Sequence, residues 1–213
     1  MALVDGSLMQ LPLVLSKEAE TVELTRRYFG LIEKFRQLRV PVVGYISQPA
    51  SVMVMRSIRM LGCEQALPCE DFPVEGCSCT PLWSVDDADL FWEILENGHL
   101  SPMFEPTFSN LKGGSAEEFK GLVFSYLATP HELVRLEYPR WMADEGVLAK
   151  AARIALHQCW LGKGYPNALT LAHGHAVLHN SDREAYYFLL ERAGLMRKTT
   201  EKAHGKRLIG QAI

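Results

Sequence analysis

One acidic residue near the start of the chain, Asp5, stands where a metal ligand is plausible. It lies in the apolar run Leu3-Val4-Asp5-Gly6-Ser7-Leu8, which is typical of a short buried strand. An ionised carboxylate in such a run is costly unless a cation or strong hydrogen-bond donors meet it. Asp5 is therefore our first candidate metal ligand. The simpler interpretation is an Asp that opens a turn with Gly6 and Ser7.

A second group that could bind a metal is a set of four cysteines within residues 62–82. This stretch also carries three prolines and lacks periodicity, so we predict an irregular loop. The four thiolates match the ligand count of a structural zinc site: Cys63, Cys69, Cys77 and Cys79. The paired C-x2-C knuckles common in such sites are absent, so structural cysteines without metal are the alternative. An odd total of five cysteines argues against a disulfide framework.

The composition is that of an ordinary globular protein. The 213 residues are 48% hydrophobic and 22% charged, with a formal net charge of −3, which argues against wholesale disorder. No apolar run approaches the roughly 20 residues of a transmembrane helix, and no signal-peptide pattern opens the chain. We expect a cytoplasmic protein with one domain over residues 1–213. Its end, residues 196–213, is a basic tail that contains Lys198, Lys202 and Lys206.

The elements that must position these residues alternate along the first half of the chain. Residues 2–15 contain short apolar runs that predict a β-hairpin. A long amphipathic helix is predicted to follow Ser16, then a central strand over 40–47 and a Met-rich helix over 51–61. Another helix is predicted to begin within Asp86-Asp87-Ala88-Asp89 and to end at Asn97-Gly98.

Strands come first and helices last in the second half. Residues 122–127 and 133–138 are typical strand sequences. Helices are predicted over 144–161, after Pro166, and from Ser181, which forms a capping box with Glu184. This order predicts an α/β fold of the α+β type, in which flanking helices cover a mixed sheet and a helical segment ends the chain.

Several short motifs, in this order and spacing, resemble the NurA nuclease family. They are Leu3-Val4-Asp5-Gly6-Ser7, Val42-Val43-Gly44-Tyr45-Ile46-Ser47, Asp87-Ala88-Asp89-Leu90-Phe91 with Leu95 and Gly98, Arg135-Leu136-Glu137-Tyr138-Pro139, Gly164-Tyr165-Pro166-Asn167-Ala168-Leu169-Thr170-Leu171-Ala172-His173, and Asp182-Arg183-Glu184. The resemblance implies an RNase H-like core and a manganese- or magnesium-dependent nuclease that processes DNA ends. It also implies a homodimer and a partnership with the hexameric translocase HerA.

The same resemblance implies a metal site made of Asp5, Asp87 and His173, with Tyr165 nearby. Phosphodiester hydrolysis needs an activated water and charge neutralisation, which paired cations supply. Carboxylate oxygens suit magnesium and manganese, and manganese also accepts an imidazole. The family site includes a Glu between the two aspartates. Our assignment on fold grounds is Glu33, and the alternatives in the cysteine loop are Glu64 and Glu70.

Each site residue also has a purely structural interpretation. Asp87 is one of three acids, with Asp86 and Asp89, that suit a helix N-terminus. His173 stands beside His175 on a predicted helix, where a core or surface histidine is common, and Tyr165 before Pro166 suits packing at a helix start. Glu33 suits a solvated helix position.

Two classes of function follow from these residues. The first is a DNA nuclease whose basic side chains hold the substrate strands: Lys112, Arg140, Lys198, Lys202 and Lys206. The second is a non-catalytic protein that keeps the fold and binds a translocase or nucleic acid. Family members usually carry helical material ahead of the D-G-S strand, whereas Asp5 follows only four residues here. We therefore expect a shortened member of the family or a fragment of one.

Overall fold

A computed structural model of the chain describes residues 1–9, 19–63, 77–106, 121–177 and 180–194. The chain forms two compact units, Met1–Leu171 and Ala172–Ile213. The first unit holds a four-stranded mixed sheet, and the second contains the end of one helix and all of the next.

The described elements follow one another as β1 (Ala2–Asp5), α1 (Ala19–Gln37), β2 (Val42–Ser47), α2 (Met53–Gly62), a 3-10 turn (Thr80–Ser84), α3 (Asp87–Ile94), β3 (Leu122–Ala128), β4 (Leu133–Pro139), α4 (Trp141–Asp144), α5 (Leu148–Leu161), α6 (Asn167–Ala176) and α7 (Asn180–Arg192). The predicted α+β class with a mixed sheet is confirmed. The last helix begins at Asn180, one residue ahead of the predicted Ser181. None of the described helices combines the length and the apolar character needed to cross a membrane.

The strands of the sheet are ordered β1-β2-β4-β3. Strand β1 runs parallel to β2, with Asp5 opposite Tyr45, and β4 runs antiparallel to β2, with Val134 opposite Ser47. The last residues of β1 and β2 and the first of β4 therefore lie at the same edge of the sheet. This edge, which we call the strand-end edge, is where Asp5 lies.

The start of the chain differs from the predicted hairpin. In the described residues, β1 pairs with β2, and the backbone N–H groups of Leu8 and Met9 donate to the Glu137 carboxylate at 2.9 and 3.1 Å. A β-carbon on Gly44 would lie 2.7 Å from the Gly6 carbonyl oxygen, so glycine is needed at position 44 for this close approach. Residues 10–15 of the predicted hairpin lie outside the described residues.

Alternate residues of the strands bury two separate apolar faces. The first face, which includes Tyr45 and Leu136, packs on residues of α4, α5 and α6 such as Met142 and Ala151. The second face, which includes Phe124 and Tyr126, packs on residues from α1, α2 and α3. These two layers decide which side chains can meet, because a strand residue reaches only one face.

Candidate functional site

Asp5 lies at the strand-end edge with its side chain open to solvent. The Tyr165 hydroxyl donates to Asp5 Oδ1 at 2.7 Å, and the Tyr165 ring packs edge-on against Tyr45 at 5.5 Å between centroids. Leu3, two residues earlier in the strand, packs on the first face, so Asp5 belongs to that face as well. The other oxygen, Oδ2, accepts no hydrogen bond from any residue that the structure describes.

A second carboxylate, Glu132, lies at the same edge, one residue before β4. Its Oε1 accepts a hydrogen bond from the Tyr45 hydroxyl at 3.0 Å, and its Oε2 accepts one from Ser47. Asp5, Tyr45, Ser47, Glu132 and Tyr165 thus form one connected group, which we call the strand-end cluster. Sequence reasoning missed Glu132. Its only signal was a charged residue directly before a predicted strand.

The two tyrosines of the strand-end cluster are held in their protonated form. Burial raises the pKa of Tyr45 far above its ordinary value, and its contacts with Cys159 and Glu132 add to that shift. The pKa of Tyr165 is raised by desolvation first and then by the hydrogen bond and charge of Asp5. Both phenols therefore act as hydrogen-bond donors to carboxylates and not as general bases.

A pocket of about 440 Å³ adjoins the strand-end cluster and shares Glu132 with it. Three more acids line this pocket, namely Asp86, Asp89 and Glu93, together with the exposed His131. His131 in turn lies against the turn before Tyr165, because a β-carbon on Gly164 would lie 3.4 Å from its ring. The pocket is therefore an acidic, open cavity that reaches the strand-end cluster at Glu132.

Asp87 has the opposite environment, because it is completely buried at 0% exposure. Its Oδ2 accepts hydrogen bonds from Ser51 (2.9 Å), Val54 N–H (3.2 Å) and Tyr126 (2.8 Å), and its Oδ1 accepts one from Met55 N–H (2.8 Å). Val54 and Met55 belong to the first turn of α2, whose N–H groups have no partner within the helix. Asp87 thus caps α2 from its position at the start of α3.

A buried ion pair extends this network across the second face. Arg135 donates to Ser51 at 3.1 Å and pairs with Glu137 at 2.8 Å, and the two side chains are 7% and 2% exposed. The Arg135 guanidinium also lies 3.9 Å from the centroid of the Phe124 ring. Glu137 accepts further bonds from Ser7, Leu8 and Met9. The chain that follows Asp5 is therefore anchored from the second face.

The structure does not bring Asp5 and Asp87 together. Asp5 belongs to the first face, whereas Asp87 bonds Tyr126 on the second face. Asp87 also has both oxygens engaged by donors and no exposed surface, so it lacks a free coordination position in this conformation. The observed contacts of Asp87 are those of an acid at a helix terminus, which is its structural interpretation.

The other predicted residues occupy different surroundings. His173 is exposed and belongs to the second unit, near the end of α6. Glu33 is exposed on α1, whose Phe29, Ile32 and Phe35 pack on the second face. Arg140 forms an ion pair with Glu105. The remaining predicted residues, Glu64, Glu70, Lys112, Lys198, Lys202 and Lys206, lie outside the described residues.

Three of the four predicted zinc ligands do come together. The Sγ atoms of Cys63, Cys77 and Cys79 lie within 4.8 Å of one another, and Cys69 lies outside the described residues. Among the described residues, the group of three or more Cys, His, Asp or Glu side chains whose possible ligand atoms all lie within 4.8 Å of one another consists of these three cysteines.

The oxygen atoms of the strand-end cluster decide whether it can bind a divalent cation. Asp5 offers a carboxylate oxygen, the donor that magnesium and manganese prefer, and Glu132, both of whose oxygens accept hydrogen bonds, adds negative charge at the same edge. Asp5 keeps one oxygen uncommitted, and its other oxygen is oriented by a phenol, as outer-sphere partners orient metal ligands. The residues of this edge therefore fit a hard divalent cation, with Asp5 as the ligand nearest to solvent.

Comparison with known proteins supplies the family. A family model described as NurA domain matches residues 1–178, most of the 213-residue chain. Neither the curated proteins nor the solved structures gave a match. The implied RNase H-like core stays a prediction for that reason. Because the match covers the strand-end cluster and all four strands, the chain belongs to the NurA family, which is a family of nucleases.

Proposed function

We propose that this protein is a metal-dependent nuclease that hydrolyses DNA phosphodiester bonds, with the strand-end cluster at its active site. One observation carries the proposal. Two motifs of the family resemblance, D-G-S and G-Y-P, are separated by 160 positions and meet through the 2.7 Å hydrogen bond from Tyr165 to Asp5. Membership of a nuclease family supports the reaction class.

The residues of the cluster have distinct roles in this proposal. Bound divalent cations would supply an activated water and neutralise charge on the attacked phosphate. Asp5 would hold a cation through its uncommitted oxygen, while Tyr165 fixes the orientation of the Asp5 carboxylate through Oδ1. Glu132, whose two oxygens accept hydrogen bonds from Tyr45 and Ser47, adds a second negative charge at the edge. His173 is kept as a further metal ligand on the strength of the family motif.

Asp87 has a positioning role in this proposal in place of direct coordination. It fixes the first turn of α2 with four hydrogen bonds, and it begins the helix that carries Asp89 and Glu93 to the acidic pocket. Glu33 is not included, because it is exposed on a helix that packs on the second face.

The finer details of the activity follow the family resemblance. We propose an exonuclease acting at DNA ends, with single-strand endonuclease activity, that works in end resection during double-strand break repair. Its cation would be manganese or magnesium, its assembly a homodimer, its partner a HerA-type translocase and its location the cytoplasm. Lys163, exposed two residues before Tyr165, supports a phosphate contact beside the cluster.

A second candidate function is a non-catalytic NurA-like protein that binds a translocase or nucleic acid. The burial of Asp87 favours this alternative, because a metal site that needs both aspartates cannot form while Asp87 is saturated by four donors. The two candidates differ in one measurable property, the cleavage of DNA.

The decisive experiment uses chelator-treated protein with end-labelled duplex and single-stranded DNA in manganese, magnesium or EDTA. The test variant is Asp5→Asn, and the matched control is Asp144→Asn, which changes an exposed Asp on α4. We expect cation-dependent release of label by the wild type and the control, and its loss in Asp5→Asn.

Two results would contradict the proposal. Equal degradation by wild type and Asp5→Asn would identify a contaminating nuclease. Retention of DNA binding with no cleavage under any cation, with or without an added HerA-type translocase, would favour the non-catalytic alternative.

A further inference from the structure

We propose that Cys63, Cys77 and Cys79 bind one zinc ion through their thiolates, as a structural site separate from the strand-end cluster. Cys63 directly follows α2, and Cys77 and Cys79 precede the 3-10 turn Thr80–Ser84. A zinc ion here would tie together the two ends of residues 63–77. Structural zinc sites supply folding free energy in this way, because they join segments that are distant in sequence.

The distances between the three sulfur atoms suit a shared ion. The Sγ atoms of Cys63 and Cys77 are 3.6 Å apart, and those of Cys77 and Cys79 are 3.0 Å apart. Two thiolates bound to one tetrahedral zinc at about 2.3 Å lie about 3.8 Å from each other. The first distance is already close to that value, and the second requires an opening of about 0.8 Å. Three thiolates leave one coordination position for a fourth ligand.

The charge of the surroundings provides an independent argument. Arg59 is 3% exposed, and its guanidinium lies 4.3 Å from the centroid of the Trp83 ring, which packs against the three cysteines. Arg59 Nε and Trp83 Nε1 are buried donors that have no hydrogen-bond partner among the described residues. A buried guanidinium is costly without a nearby anion. One zinc ion with three thiolates carries a net charge of −1 and supplies that anion.

The main alternative for three close thiols is oxidation. Cys77 and Cys79 could join as a disulfide, but that would give a neutral group and leave Arg59 without a counter-charge among the residues that the structure describes. Unligated thiols would also be neutral. Zinc is therefore the ligand that matches both the sulfur distances and the buried cation, and its softness toward sulfur separates this site from the oxygen-rich strand-end cluster.

Elemental analysis of the full chain, purified without chelator or affinity metal, tests the site directly. We expect one zinc per chain in the wild type, and trace zinc in Cys77→Ser and in Cys63→Ser. The matched control is Cys159→Ala, which removes a buried cysteine of the first face and should keep one zinc per chain. Arg59→Met should weaken zinc binding by roughly 10- to 100-fold, as loss of an outer-sphere partner does.

A second readout keeps the test valid where a variant folds poorly. Wild-type protein stripped of metal and loaded with cobalt(II) should show the sulfur-to-cobalt charge-transfer band and the visible band of tetrahedral coordination. Absence of both bands together with substoichiometric zinc would overturn the proposal. So would a thiol count that rises by two after reduction in metal-free protein, because that result identifies a disulfide. Neither outcome affects the proposed nuclease, which is measured separately.

Discussion

The two aspartates that the NurA resemblance assigns to one metal site, Asp5 and Asp87, have opposite environments in this molecule. Asp5 ends β1, is exposed to solvent and accepts one hydrogen bond from a described residue. Asp87 is fully buried and accepts four. A carboxylate oxygen that accepts no hydrogen bond is available to a cation. A buried carboxylate whose two oxygens both accept hydrogen bonds stabilises the structure around it instead. Matching a motif therefore identifies the residue but not its role.

Replacing Asp5 is expected to have the largest effect on activity. Asp5→Asn removes the negative charge from the proposed ligand that is most open to solvent, so cleavage of end-labelled DNA should fall by more than the roughly 10- to 100-fold expected for an outer-sphere partner. The melting temperature should stay within about 2 °C of wild type, because substitutions of exposed side chains usually change stability little. A large loss of stability would contradict the assignment of Asp5 to an open site.

Replacing Asp87 is expected to act on stability. Asp87→Ala leaves four donors without their acceptor, two of them buried, and removes the cap of α2, so the free energy of unfolding should fall by roughly 3–4 kcal/mol. The matched control is Asp86→Ala, because Asp86 caps α3 at a less buried position through a 2.8 Å bond from Asp89 N–H, and it should cost only about 1 kcal/mol. Urea unfolding of both variants gives the comparison. An Asp87→Ala protein as stable as Asp86→Ala would contradict the larger structural role assigned to Asp87.

Replacing Tyr165 separates orientation from coordination. Tyr165→Phe keeps the ring contact with Tyr45 and removes only the hydrogen bond to Asp5, so activity should fall by roughly 10- to 100-fold. Higher manganese concentrations should restore part of the activity, because Asp5 itself remains. The effect should be absent from Tyr126→Phe at the Asp87 site. Loss of activity that no metal concentration restores would argue that the phenol takes part in the reaction.

Raising the pH tests the contribution of Tyr28, which contacts a residue of the second face, to the stability of the fold. Tyr28 donates to the Leu8 carbonyl, and burial together with the Glu137 charge raises its pKa from 10.0 to about 12. The folded state therefore favours the protonated phenol, and this contribution is complete below pH 10 and is lost as the pH rises through about 12. Between pH 9 and pH 11, the urea midpoint should fall less in Tyr28→Phe than in wild type. An equal fall would assign the loss to other groups.

The smallest expected effect belongs to Lys163. Lys163→Ala removes one exposed cation beside Tyr165, so DNA binding should weaken slightly and the slope of log affinity against log salt should change by about one. Its control is Lys150→Ala, another exposed lysine, on α5. An identical slope of log affinity against log salt in Lys163→Ala and wild type would show that Lys163 does not contact the DNA backbone.

Local sequence signals predicted most of the elements. Strands β3 and β4 were expected within a residue or two of their observed ends, because both are apolar runs and Pro139 closes the second. The hairpin prediction missed the parallel partner of β1, which lies about 40 positions away, because residue periodicity carries no information on such distant pairing. The partner of a short apolar strand depends on the whole fold.

The candidate site was predictable only in part. Asp5 and Tyr165 were found through their motifs, and the structure adds that they touch. Glu132 was missed because a Glu before a strand resembles a solvated turn residue, and only the antiparallel pairing of β4 with β2 brings it to Tyr45. Among Asp86, Asp87 and Asp89, sequence alone could not select the buried one. That selection depends on where the first turn of α2 packs.

The anchoring of the first strand by Glu137 and Tyr165 has a consequence for synthesis. During translation, the D-G-S segment leaves the ribosome long before the residues that hold it, which follow 130 and 160 positions later. An N-terminal piece of the nascent chain therefore carries Asp5 without a formed site. The strand-end cluster can therefore assemble only when nearly the whole first unit has been made.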